Sequence, residues 1–106
     1  MRILINSDNR LAIDGKQAFR EELLIQRKLR RFSKRLTRVV AHFRDLDGPR
    51  NAGDFIEARL EARAADSAPS SASARGRTPR EALGQALKKM NARLESEFGR
   101  RDRVRR

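Results

Sequence analysis

Ile56-Glu57-Ala58-Arg59-Leu60-Glu61-Ala62-Arg63 alternates apolar and charged residues without a break. A period of two puts Ile56, Ala58, Leu60 and Ala62 on one side of an extended chain, and Glu57, Arg59, Glu61 and Arg63 on the other. Such a strand belongs in a sheet with one face covered and the other in water. The cover has to be helical. Thr78-Pro79-Arg80-Glu81 reads as a capping box with proline at the first helical position, where its missing N–H costs nothing. Behind it Leu83, Leu87, Met90, Leu94 and Phe98 fall on one stripe. Gly99 predicts the end of that helix. Residues 100–106, nearly all charged, are expected to form a basic, mobile tail.

Working back from the alternating strand, Asp47-Gly48-Pro49-Arg50-Asn51-Ala52-Gly53 is dense in turn formers. Before it, from Thr37, Val39, Ala41 and Phe43 alternate with Val40, His42 and Arg44, which predicts another strand. Asp14 to Gln17 has the form of a capping box, so a helix is expected from there to about Arg35. Its stripe is Ile25, Leu29, Phe32 and Leu36. Phe19, Leu23 and Leu24 fall off that stripe: either they widen the buried face near the helix start, or they mark a partner contact. Arg2 to Asn6 reads as a first strand, and Ser7-Asp8-Asn9-Arg10 as a loop. In the Ser/Ala/Pro-rich stretch from Asp66 to Ala74, a strand over Ser70 to Arg75 is expected from context alone. The order is β-α-β-β-β-α. That defines an α+β fold: a four-stranded sheet with two helices packed on one face, and one domain over residues 1–99.

At 106 residues the chain has room for one domain, and its hydrophobic fraction of 38% supplies a core. Lys and Arg number 26 against 14 Asp and Glu, a formal charge of +12 and a pI near 11.6. Such a surface attracts polyanions, because neutralised phosphates release condensed counterions. Apolar runs such as Ile3 to Ile5 are far too short to span a membrane, and no Trp or Tyr is present to settle at its interface. Cysteine is absent, which excludes disulfides, thiolate metal sites and a cysteine nucleophile. The opening residues lack a signal-peptide hydrophobic region, so a cytoplasmic protein is expected.

Nothing in the sequence converges on catalysis. The single histidine, His42, falls mid-strand on the less apolar face, an ordinary place for an exposed residue. Glu57 and Glu61 belong to a charge-alternating, solvated face rather than an acid/base pair. Asp45 and Asp47 flank a turn and lack further ligands for a metal. No Gly-rich phosphate loop joins a strand to a helix. The expectation is a protein that is not an enzyme and has no cofactor, metal or small-molecule substrate.

The cations are more informative. Arg27, Lys28, Arg30, Arg31, Lys34, Arg35 and Arg38 form a run with no acid among them, and at 100° per residue all turn away from the Ile25 stripe. Lys88 and Lys89 fall on the outer face of the second helix, with Arg93 on its flank. With both helices on one side of the sheet, these clusters are expected to form one electropositive surface. A solvated helix face is the bland reading, but uncompensated positive charges repel one another, which favours a polyanion partner. Outside the expected core there is no aromatic to stack on splayed bases. Recognition by shape and phosphate of folded RNA follows, rather than reading of single strands.

The order of segments resembles the ribosome hibernation-promoting factor and ribosome-associated inhibitor family in its short form. The resemblance runs from Arg2 to Gly99. It is carried by Ile5-Asn6-Ser7-Asp8-Asn9, Arg35-Leu36-Thr37-Arg38-Val39, His42-Phe43-Arg44-Asp45 before Gly48-Pro49, Glu57-Ala58-Arg59-Leu60, and Glu81-Ala82-Leu83 through Lys88-Lys89-Met90 to Leu94. It implies a fold like that of double-stranded RNA-binding domains. It also implies binding to small-subunit rRNA in the channel of messenger RNA and the A- and P-site transfer RNAs, silencing idle ribosomes in stationary phase or stress. Arg31, Lys34, Lys88, Lys89 and Arg93 correspond to rRNA-facing positions of that family; Arg27, Lys28, Arg35 and Arg38 join them on geometry. Two departures stand out. Ser70-Ser71-Ala72-Ser73-Ala74 replaces a Val-rich strand, which predicts a frayed edge. The sequence also ends before the dimerising second domain of long-form members, so a monomer acting on one subunit is expected. The alternative class is a general double-stranded RNA- or DNA-binding basic protein.

Overall fold

The computed structural model describes residues 1–8, 11, 13–46, 55–65 and 67–104. The loop at Asn9 and Arg10 and the turn over 47–53 expected from the sequence lie outside the described residues. The elements are β1 (Arg2–Ser7), α1 (Gly15–Lys28), a 3₁₀ turn (Arg30–Phe32), β2 (Leu36–Asp45), β3 (Ile56–Ala64), β4 (Ser70–Gly76) and α2 (Pro79–Val104). The sheet order is β1-β2-β3-β4, with β1 parallel to β2 and the other pairs antiparallel. The α+β class and the β-α-β-β-β-α order read from the sequence are those observed.

Alternation builds the core as expected. Val39, Ala41 and Phe43 of β2 and Ala58, Leu60 and Ala62 of β3 are buried. They meet Leu24 and Ile25 of α1, Leu29 just after it, and Leu83, Leu87, Met90 and Leu94 of α2 in one apolar cluster. Both helices therefore cover the same face. One irregularity completes this core. The register shifts between Leu36 and Arg38, so Thr37 is an extra residue opposite β3. A bulge of this kind turns the residues before it relative to those after it. It lets Leu36 point into the core while Arg38 stands on the opposite face next to buried Val39.

Two helix ends differ from expectation. The first helix stops at Lys28, not near Arg35: Leu29 leaves helical geometry at φ −107°, and Phe32, Ser33 and Arg35 bond back three residues rather than four. Continuing the helix would have stacked Arg27 on Arg31, Arg31 on Arg35 and Arg30 on Lys34. Each like-charge pair at that spacing costs a few tenths of a kcal/mol. The apolar spacing still reaches the core, because Leu29, Phe32 and Leu36 are all buried. At the other end, α2 runs through Gly99 to Val104. Glycine costs about 1 kcal/mol within a helix, and contacts across the fold offset it. The Arg35 guanidinium lies 4.0 Å from the centre of the Phe98 ring and bonds Asp102 at 3.1 Å. The Phe98 ring in turn packs on Phe32.

The serine-rich segment is a regular strand, pairing with β3 from Ser70↔Ala62 to Gly76↔Ile56. Its small residues suit its position, because α2 lies against it with Ala82 and Ala86 fully buried. The Ser70 hydroxyl donates to Glu97 of α2, and the Lys89 ammonium donates to the Ser73 carbonyl at 2.9 Å. Lysine over an edge strand also discourages pairing with other chains. Gly76 marks the closest approach. A Cβ there would lie 2.6 Å from the Ala82 nitrogen and 3.1 Å from its Cα, both backbone atoms. Gly76→Ala is therefore expected to lower stability by roughly 1–3 kcal/mol, the usual range for overpacking. Urea unfolding should show a lower midpoint at unchanged slope.

Candidate nucleic-acid interface

The side chains expected to bind RNA fall into separate groups. Lys28 and Arg31, at the end of α1 and in the 3₁₀ turn, line a groove of about 620 Å³ with Lys88 of α2. Asn91 holds the groove's shape: its side-chain amide donates to the Lys28 carbonyl at 2.9 Å and to the Leu87 carbonyl at 3.2 Å. Arg27 lines a second cleft of about 1020 Å³, together with Arg20 and Arg30. Lys34 is exposed in the turn that follows.

Arg80 lines both spaces. Its guanidinium bonds the carboxylate of Glu21 at 2.8 Å; the Glu21 side chain is 2% exposed and that of Arg80 53%. Glu21 is thus a buried acid that holds one arginine between two basic grooves, and its second oxygen has no hydrogen-bond partner. Sequence reasoning passed over Arg80 because it fell inside a capping box and read as structural. A signal was available: a cation in the first turn opposes the helix dipole and needs another reason to be there.

Other expected residues are partly engaged. Arg31 bonds Glu95 at 3.2 Å and lies over Phe32, and Arg35 pairs with Asp102. The basic run has no acid in sequence, but α2 supplies these two. Both pairs are largely exposed, and exposed pairs are worth about 0–1 kcal/mol, so a phosphate can replace the carboxylate at little cost. Lys89 turns toward β4, where it bonds the Ser73 carbonyl, and Arg93 bonds Glu97 of its own helix at 3.1 Å. Adjacent on one helix, Lys88 and Lys89 thus serve opposite flanks.

Arg38 is a correction. Helical spacing groups it with the basic run, but β2 begins at Leu36, and strand alternation puts Arg38 on the face away from both helices. Its neighbours across the sheet are Arg2 and Arg63. In place of the single surface expected from the sequence stands a helix-side pair of grooves lined by Arg27, Lys28, Arg31 and Lys88, with Lys34, Arg35, Lys89 and Arg93 outside their linings and Arg38 on the other face of the sheet.

Of the residues off the α1 stripe, Leu24 is buried and widens the core, whereas Phe19 and Leu23 stay 59% and 46% exposed. His42 is exposed, and Glu57 is bound by Arg44 at 3.1 Å. Among the described residues no three potential metal-ligating side chains come together. No helix among them is long and apolar enough to cross a membrane.

A small α+β domain that gathers cations along the seam of two helices defines the class: a basic domain with the topology described above. Its fold is shared with proteins of solved structure. A ribosomal subunit interface protein from Coxiella burnetii matches with a TM-score of 0.72 and 13% identity, over 93% of this chain and 99% of that one. The N-terminal domain of Protein Y from Thermus thermophilus matches with a TM-score of 0.64 and 13% identity, over 91% and 98%. These are the fold relatives that the sequence resemblance implied. No protein-family model and no curated protein matches the sequence.

Proposed function

We propose that this chain binds small-subunit rRNA in the channel of messenger RNA and the A- and P-site transfer RNAs, and silences idle ribosomes by occupying it. One observation carries the reading: the seam between α1 and α2 gathers Lys28, Arg31, Arg80 and Lys88, on a fold shared with a ribosomal subunit interface protein. Arg27 and Lys34 extend that surface. The protein acts in the cytoplasm, as a monomer, in stress or stationary phase. It needs no cofactor, because occupancy transforms no substrate.

Occupancy and turnover differ in stoichiometry. In a purified translation system, inhibition is expected to saturate near one protein per ribosome, and to weaken when messenger and transfer RNA are bound first. Strong inhibition far below one per ribosome would overturn the binding reading and indicate an enzyme. Sedimentation of a stationary-phase lysate addresses the remaining class. Co-migration with small subunits supports the ribosomal reading, and co-migration with DNA would replace it with a general nucleic-acid binder.

A further inference from the structure

The face of the sheet that the helices leave uncovered is itself basic, and its charge is laid out in rows. Register places Arg2, Arg38 and Arg63 side by side across β1, β2 and β3. Adjacent strands are about 4.8 Å apart, so three guanidinium stems rise from a line roughly 10 Å long. Further along the same face come His42 beside Arg59, and Arg44 beside Glu57 beside Arg75. Glu57 and Glu61 are the acids of this face; one takes Arg44 at 3.1 Å, and the other approaches Arg63 only at 3.9 Å. Among the described residues, neither Arg2 nor Arg38 has an acidic partner.

Like charges directly opposite each other on a sheet destabilise it. This fold nevertheless aligns three of them in one row, at the place where a bulge turns Arg38 outward. From these observations we infer that the open sheet face is a second RNA-binding surface, which takes the phosphate backbone of a separate RNA segment. One domain then holds two RNA segments, with the helices against one and the sheet against the other. Charge complementarity identifies the occupant. The planar fork of arginine matches phosphate oxygens in pairs, and no Phe, Tyr or Trp stands in these rows to bind an apolar partner. The inference rests on the RNA-binding reading above and extends it to a face that reading leaves bare.

The probe is a 12-base-pair RNA duplex, too short to wrap from one face to the other. Its stoichiometry with the full chain is measured by sedimentation velocity and titration calorimetry. The wild type is expected to take two duplexes. Arg2→Gln, Arg38→Gln and Arg63→Gln combined should take one, with the affinity of the helix-side site unchanged. Lys28→Glu with Lys88→Glu should also take one, now on the sheet. Thermal unfolding without RNA is the companion readout. Removing mutual repulsion should leave the midpoint of the triple variant, and of Arg38→Gln alone, equal or higher. Saturation of the wild type at one duplex, lost with Lys28→Glu/Lys88→Glu, would overturn the second surface and keep the first. No duplex binding at all would overturn both. A lower unfolding midpoint in Arg38→Gln would show that the arginines serve the fold instead.

Discussion

Reversing Lys28 and Lys88 to glutamate is expected to weaken small-subunit binding by roughly a hundredfold to ten-thousandfold. Hydrogen bonds to charged groups are each worth about 1.5–3 kcal/mol, and two are removed at once. The new carboxylates would also face phosphate in a confined groove, where like charges repel strongly. Both side chains are exposed, and the bond from Asn91 uses the Lys28 backbone carbonyl, which the substitution keeps. The cost to folding is then confined to an acid in the last turn of α1, about 0.3–1 kcal/mol from the helix dipole. Lys16→Glu with Arg100→Glu makes the same change in net charge at exposed positions outside the grooves. If net charge alone governed binding, the two double variants would weaken alike in a co-sedimentation assay at fixed salt. Equal losses would remove the inter-helix groove from the interface.

The parts of this molecule that were legible in its sequence are those where one residue decides its own environment. The strand from Ile56 to Ala64 follows from strict alternation, and the capping residues Asp14 and Thr78 hold the backbone nitrogens of Gln17 and Glu81 as their positions suggest. What could not be read depends on residues far apart in the chain. Arg35 lies over Phe98 and Arg31 bonds Glu95, so the apparently uncompensated run finds its acids 64 and 67 positions away. The helix past Gly99 depends on the same contacts. Arg38 departs from helical spacing because the chain is already a strand from Leu36, with a bulge before Arg38. Ser70 to Gly76 looks like poor strand material by composition. It is ordered because α2 needs small residues beneath it, a requirement visible only once the two elements meet.

Salt should act on this protein more strongly than any single substitution. If the helix side neutralises about six to ten phosphates, affinity for small subunits falls by roughly a thousandfold or more between 50 and 200 mM salt. The grooves and the turn beside them hold enough cations for this: Arg20, Arg27, Arg30 and Arg80 at one cleft, Lys28, Arg31 and Lys88 at the other, and Lys34 beyond. Not all count equally. Arg31 must release Glu95 before it meets a phosphate, and that exchange binds an anion without freeing the full share of counterions. Glu95→Gln removes the competitor, so it should raise affinity at low salt and also steepen the dependence, by up to about one unit of log affinity per log salt. A merely structural Arg31–Glu95 pair would give the opposite sign, because losing it would loosen the α2 contact and weaken binding. Titrating the wild type and Glu95→Gln against small subunits across that range therefore reads both quantities from one pair of slopes. A flat wild-type line would remove phosphate contact as the source of affinity.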